Sequence, residues 1–270
     1  MTTCHAPYNT QNKWKHRYNS MIARGARVIA ISDYVANYLR ATFGVGDDRL
    51  RIIPRGIAAE KLHPSAVTPD RLIKVANEWR IPDGAAVILL PGRLTRWKGQ
   101  LVLIDAMARL RDADVFAILL GSDQGRSDYT AELHKAIVDK GLSGRVRIVD
   151  HTDDMPAAYM LAHIVISAST DPEGFGRVPV EGQAMGRMVI ATNHGGACET
   201  IIDNTTGFLV PPNDPQALAD TITHALSLDA NARAILGTNG MMHVAQNFTR
   251  QQMMDKTIAV YNELLNPSSQ

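Results

Sequence analysis

Two glutamates, Glu173 and Glu181, stand eight residues apart around a glycine-rich turn in the segment Glu173-Gly174-Phe175-Gly176-Arg177-Val178-Pro179-Val180-Glu181. An ionised carboxylate only accepts hydrogen bonds, so each suits a ligand that presents a pair of hydroxyl groups, as a sugar does. Pro179 fits the first turn of a helix, which places Glu173 on the preceding loop and Glu181 inside the first turns. One of the two could equally be a helix charge that offsets the macrodipole, although the glycines beside Phe175 weigh toward a site. Upstream, Gly92-Arg93-Leu94-Thr95-Arg96-Trp97-Lys98-Gly99 opens another helix. Arg93 can grip an oxyanion through two parallel N–H groups and Lys98 adds a point charge, a combination suited to a diphosphate at a helix N-terminus. The same charges also suit a solvated helix start, and Arg96 reads as a bystander. Gly121-Ser122-Asp123-Gln124-Gly125 and His194-Gly195-Gly196-Ala197-Cys198-Glu199 add glycines where backbone can approach a phosphate or simply turn.

These segments need elements to position them, and the pattern from about residue 84 supplies them. Short apolar runs at 87–91, 115–120, 146–149, 164–167 and 188–191 read as buried strands, and amphipathic segments at 99–111, 127–140, 154–162 and 178–186 read as helices. Strict alternation of strand and helix predicts a parallel, doubly wound α/β sheet. Each glycine- or charge-bearing segment follows a strand, so all gather on the rim where open parallel sheets bind ligands. Before this unit come a strand at 28–31, a helix at 34–42 and a strand at 50–54. An irregular stretch at 56–66, punctuated by Pro54, Gly56 and Pro64, reads as an interdomain linker or a long surface loop. After residue 213 the chain is helical, at 215–228, 230–246 and 250–265.

Composition narrows the function classes. The 270 residues are 45% hydrophobic and 20% charged, which is ordinary for a globular protein, and the net charge of +1 does not call for nucleic acid. Residues 1–32 hold no Asp or Glu but do hold Lys13, Lys15, Arg17, Arg24 and Arg27, a small basic block. At helical spacing Lys13, Arg17 and Arg24 fall near one face beside Trp14, Tyr18, Met21 and Ile22. That arrangement suits peripheral contact with an anionic membrane through residues 13–27, or a helix packed in a domain with a solvated basic side. Two cysteines, Cys4 and Cys198, make no disulfide framework, which fits a reducing cytoplasm, and no apolar run reaches the length of a membrane span. Neither a phosphate loop nor a dinucleotide fingerprint is present. Asp112-Ala113-Asp114 has the D-x-D spacing of metal-dependent sugar transferases, but it precedes its strand and falls on the wrong rim. No metal site is expected.

Taken in order, Gly92 to Gly99, Glu173 to Glu181, Gly195 to Glu199 and Gly207-Phe208-Leu209-Val210 resemble glycosyltransferase family four, and the resemblance covers nearly the whole chain. It implies a GT-B type fold with a Rossmann-like parallel-sheet donor domain and a partial N-terminal, acceptor-side domain. The boundaries implied are a remnant of the first domain over 1–56, the donor domain over 57–247 and a crossover helix over 248–270. It also implies that Arg93 and Lys98 bind a diphosphate, that Glu173 holds hydroxyls of the transferred sugar and that Glu181 holds the ribose hydroxyls. Gly121, Gly195, Gly196 and the backbone near Phe175 and Gly176 then line the donor pocket, and His5 falls where a histidine faces the donor sugar.

The activity implied is retaining transfer from a nucleotide diphosphate sugar to a glycan or lipid-linked acceptor, as in lipopolysaccharide or other surface polysaccharide synthesis. Neither a cofactor nor a metal is expected. Its setting would be cytoplasmic, or peripheral at the inner face of the membrane. A non-catalytic nucleotide-sugar-binding fragment and a glycoside phosphorylase of the same fold are the rival readings. Three departures from the family pattern stand out: Gly182 where alanine is commoner, Ala197 where proline is frequent, and Asp150 near the expected base-contacting glycine. Because most of the acceptor-side domain is absent from the sequence, the strand at 28–31 is expected to lack its sheet neighbours, and the polypeptide alone is expected to bind nucleotide without efficient transfer.

Overall fold

The computed structural model describes residues 1–8, 12–110, 114–125 and 127–266. Along the chain run β1 (Thr2–Cys4), α1 (Lys13–Asn19), β2 (Val28–Ala30), α2 (Asp33–Phe43), β3 (Leu50–Ile52) and α3 (Pro69–Glu78). Next come β4 (Ala86–Pro91), α4 (Gln100–Met107), β5 (Val115–Leu120), α5 (Ser127–Asp139), β6 (Val146–Val149), α6 (Met155–Leu161), β7 (Ile164–Ser167) and α7 (Arg177–Ala184). The last elements are β8 (Met188–Thr192), β9 (Phe208–Val210), α8 (Pro215–Ser227), α9 (Ala230–Asn247) and α10 (Arg250–Leu265). Asp112 and Ala113 of the D-x-D segment, and the first residues of the segment from Asn9 on, lie outside the described residues.

β1, β2 and β3 form a parallel sheet in that order. The expectation that the strand at 28–31 lacks neighbours is therefore corrected: β2 is the central strand, fully buried, with β1 on one side and β3 on the other. β1 carries too few residues to show a period, which is why it escapes a reading by pattern.

The larger sheet is parallel throughout, in the order β6-β5-β4-β7-β8-β9. Its inner strands β4, β5, β7 and β8 are largely apolar and buried because both faces are covered by helices, whereas the edge strand β6 carries Arg147. Successive side chains point to opposite faces. Ile88, Leu90, Ala117 and Leu119 accordingly join a core with Leu103, Leu133 and Ile222, while Val87, Leu89, Phe116 and Ile118 join another with Val75, Ala158 and Tyr159. From β4 the chain builds outward through β5 and β6, then returns to the other side of β4 and builds outward through β7, β8 and β9. The winding direction thus reverses between β4 and β7, and at such a reversal the loops leaving the two strands diverge and open a crevice.

The two sheets share contacts. α10 runs back to the first sheet, where Val260 packs on Ile29 and Ile53 and where Glu263 pairs with Arg27 at 2.9 Å and Arg51 at 2.7 Å. A capping box of Thr249 and Gln252 starts that helix, and an isolated bridge ties Thr249 to Ile57. Residues 56–66 are therefore not wholly irregular. The helix that follows, α3, belongs to the larger sheet, packing through Val75 and Trp79.

Candidate functional site

Glu173 sits on the loop leaving β7, directly at the reversal point. Its Oε1 accepts from Lys98 Nζ at 2.8 Å, from Ser169 Oγ, and at a longer 3.4 Å from Ser167 Oγ. Both members of the ion pair are largely withdrawn from solvent, with 14% and 13% of the side-chain surface of Lys98 and Glu173 exposed. The loop is braced from three sides. Gly196 N–H donates to Glu173 O at 2.7 Å, Thr170 N–H donates to Trp97 O at 2.8 Å, and the carbonyl of Ser169 lies 3.0 Å from Thr192 Oγ1 and 2.9 Å from His194 Nε2. Such bracing fixes the carboxylate before any ligand arrives.

Glu181 lies in α7 on the other wall. Tyr159 donates its hydroxyl to Glu181 Oε2 at 2.7 Å, and Arg177 pairs with Oε1 at 2.6 Å. Burial, and then the adjacent carboxylate, push the Tyr159 hydroxyl well above its ordinary pKa, so it remains a proton donor. A cavity of about 370 Å³ opens here, lined among others by Gly92, Arg93, Gly121, Asp150, Tyr159 and Glu181. Gly121 is required at its position: with φ at +155°, a Cβ there would stand 2.0 Å from Gly92 O and force apart the two strand-end loops that form the wall. The exposed guanidinium of Arg93 and the Glu181 carboxylate thus line one cavity, and the half-buried Lys98–Glu173 pair sits on the loops that follow β4 and β7.

Residues 74–242 match the family described as Glycosyl transferases group 1, and residues 1–61 match Glycosyltransferase Family 4. The chain belongs to the group 1 glycosyltransferases. A D-inositol 3-phosphate glycosyltransferase of Jonesia denitrificans is 28% identical over 247 residues, covering 89% of this chain and 58% of that protein. Among solved structures, a glycosyltransferase from Rickettsia africae superposes with a TM-score of 0.93 at 35% identity, covering 99% of this chain and 71% of that one. Anabaena HepE, solved in complex with UDP and glucose, superposes with a TM-score of 0.86 at 28% identity over 97% of this chain and 70% of that one. The GT-B architecture expected from the motifs is the architecture of these neighbours. The chain spans less than two thirds of the length of the curated relatives it matches.

Within this group 1 chain the expected residues fall into two sets. Arg93, Gly121 and Glu181 line the cavity, and Lys98 and Glu173 pair with each other on the loops that follow β4 and β7. Arg96 turns away, pairing with Glu132. The Phe175 side chain is buried in the core against Phe248, at 5.6 Å between ring centroids, so only its backbone is near the crevice. Gly176 has a left-handed φ of +88° and starts α7. Gly195 and Gly196 form a 3-10 turn rather than an α-helix, and the Gly196 N–H is already committed to Glu173 O. His5 follows β1 and reaches the loop through its backbone, for a Cβ on Gly174 would lie 2.5 Å from His5 O. Its Nδ1 lies 3.3 Å from Arg55, and burial followed by that guanidinium lowers its pKa.

Pattern reading missed Tyr159 and Ser169, because a tyrosine inside an apolar helix and a serine at a strand end look like core and turn. Glu199 has a role that its motif does not reveal. Its carboxylate accepts from the backbone N–H groups of Asp33 at 2.8 Å and Tyr34 at 2.6 Å, capping α2 of the other sheet. Ser32 Oγ adds a bond to Gly174 O at 2.6 Å while accepting from Val35 N at 3.1 Å. This junction joins the first sheet to the Glu173 loop.

Proposed function

We propose that the crevice between the ends of β4 and β7 binds a nucleotide diphosphate sugar and that the protein transfers the sugar to a glycan or lipid-linked acceptor with retention. The observation that carries this reading is a pair of carboxylates held in place on the strand-end rim, Glu173 beside Lys98 on the loop after β7 and Glu181 beside Tyr159 in the wall of the cavity that Arg93 also lines. Glu181 takes the ribose hydroxyls, and Arg93 and Lys98 take the diphosphate. Glu173 takes hydroxyls of the sugar, the backbone of Phe175 and Gly176 with Gly195 and Gly196 lines its pocket, and His5 faces it. The departing diphosphate accepts the proton of the incoming hydroxyl on the same face, and fixed positive charge on that leaving group lowers the barrier. Because Arg93 and Lys98 supply this charge, transfer needs no divalent metal. HepE, with UDP and glucose bound in a related fold, makes a uridine nucleotide the first donor to try.

A panel of nucleotide sugars compared for thermal stabilisation tests the reading, since a ligand at 100 times its dissociation constant adds about 2.7 kcal/mol. UDP-sugars are expected to raise the melting temperature, and a panel with no stabilising member overturns the proposal.

We further propose a cytoplasmic protein that touches an anionic membrane through residues 13–27. Trp14 and Tyr18 are each 79% exposed, beside the exposed Lys13, Lys15 and Arg17, a combination that anionic headgroups accommodate. Among the described residues no helix is long and apolar enough to cross a membrane.

A further inference from the structure

The rim opposite the crevice carries a second cluster of charge. A cavity of about 220 Å³ opens beside the first residues of β7 and β8, lined by His163, Gly186, Arg187, Met188, Arg233 and Ala234. His163 is clamped on β4: its backbone N–H donates to Val87 O at 2.8 Å and its Nδ1 accepts from Val87 N–H at 3.0 Å. With Nδ1 used as an acceptor, the proton of the neutral ring sits on Nε2, which is left to donate. Arg187 stands three residues beyond the end of α7 and donates its Nε to Met185 O at 3.0 Å. Arg233 enters from α9. Among the described residues no carboxylate pairs with either guanidinium. Burial lowers the Arg187 pKa, and burial followed by the two guanidinium groups lowers that of His163.

Arg187 is half-buried without a carboxylate partner among the described residues, which costs hydration that an anion would return, while the exposed Arg233 and His163 face the same cavity and add a second positive charge and an N–H donor. We propose that this cavity is a binding site for a phosphate-class oxyanion, held by the terminal nitrogens of Arg187 and Arg233 and by His163 Nε2–H. A tetrahedral oxyanion meets planar guanidinium forks at charge-assisted distances and accepts the imidazole proton at the same time. β7 separates the two rims by roughly 13 Å, four residues at about 3.3 Å each. The oxyanion site is therefore distinct from the crevice and does not rest on the proposal made for it.

The test follows the His163 ring resonances of the full chain by NMR, assigned with His163→Asn, a readout local to this cavity. Inorganic phosphate is titrated in one arm and glycerol phosphate in another, against sodium chloride at matched ionic strength. Phosphate is expected to raise the His163 pKa where chloride does not. Arg233→Gln, on an exposed helix position, is expected to weaken that response about tenfold, the loss of one charge-assisted contact, and Arg187→Gln to weaken it at least as much. A response to glycerol phosphate as well as to phosphate assigns the site to phosphate monoesters, whereas a response to phosphate alone assigns it to the free ion. Equal responses to phosphate and chloride, or an unchanged phosphate response in Arg233→Gln, overturn the proposal.

Discussion

At the scale of residues, the site depends on carboxylates that are fixed before a ligand arrives. Tyr159 is fully buried and donates to Glu181, so its hydroxyl sets the direction in which that carboxylate presents its remaining lone pairs. Tyr159→Phe removes this donor while leaving the Arg177 contact in place. UDP affinity is therefore expected to fall by about 1.5 kcal/mol, the lower end for a hydrogen bond to a charged group, while the midpoint of denaturant unfolding shifts little. Calorimetry and urea unfolding on the same variant separate the two effects, and a variant that binds UDP as well as the parent removes Tyr159 from the account. Glu173, Glu181, Arg93 and Lys98 were legible from their types and their places after strands. The partners that orient them were not, because Tyr159 meets Glu181 across a strand and a loop.

At the scale of elements, the strands at 87–91, 115–120 and 164–167 were legible because burial on both faces makes them continuous apolar runs. α3 was missed because only Val75 of its ten residues is buried, and β1 and β9 are too short to show a period. Position in a motif also says nothing about which element a side chain reaches. Glu199 follows a glycine pair on the larger sheet yet caps α2 on the smaller one. Glu199→Ala leaves the first N–H groups of α2 without that cap and is expected to cost about 1 kcal/mol, as helix caps do. Hydrogen exchange is expected to quicken in the first turn of α2 and at Gly174, which Ser32 ties to the same junction. Unchanged exchange at both places would show that the contact contributes nothing.

At the scale of the molecule, α10 ties the C-terminal end of the described chain to the first sheet through Glu263, whose carboxyl Arg51 and then Arg27 hold down at about 2, against an ordinary value of 4.5. A depressed carboxyl pKa stabilises the folded state above the unfolded value, and this stability is lost as pH falls through the window from 4.5 to about 2. Glu263→Gln does not titrate. The parent is therefore expected to be the more stable at neutral pH, and the gap between the two is expected to narrow as pH drops through that window. A gap of constant size would place the Glu263 contribution outside its charge.

The α/β class and the alternation of the larger sheet were legible at this scale, whereas the return of α10 to β2 and β3 depends on contacts more than 200 residues apart in sequence. The reversal between β4 and β7 gathers the candidate site, and the crevice there is proposed to hold a nucleotide through Glu181. Calorimetric titration of UDP into the parent chain and into Glu181→Ala decides whether it does. Binding to the parent that weakens by about 1.5–3 kcal/mol in the variant, the range for hydrogen bonds to a charged group, is the predicted result, and equal affinity in the two proteins would contradict it.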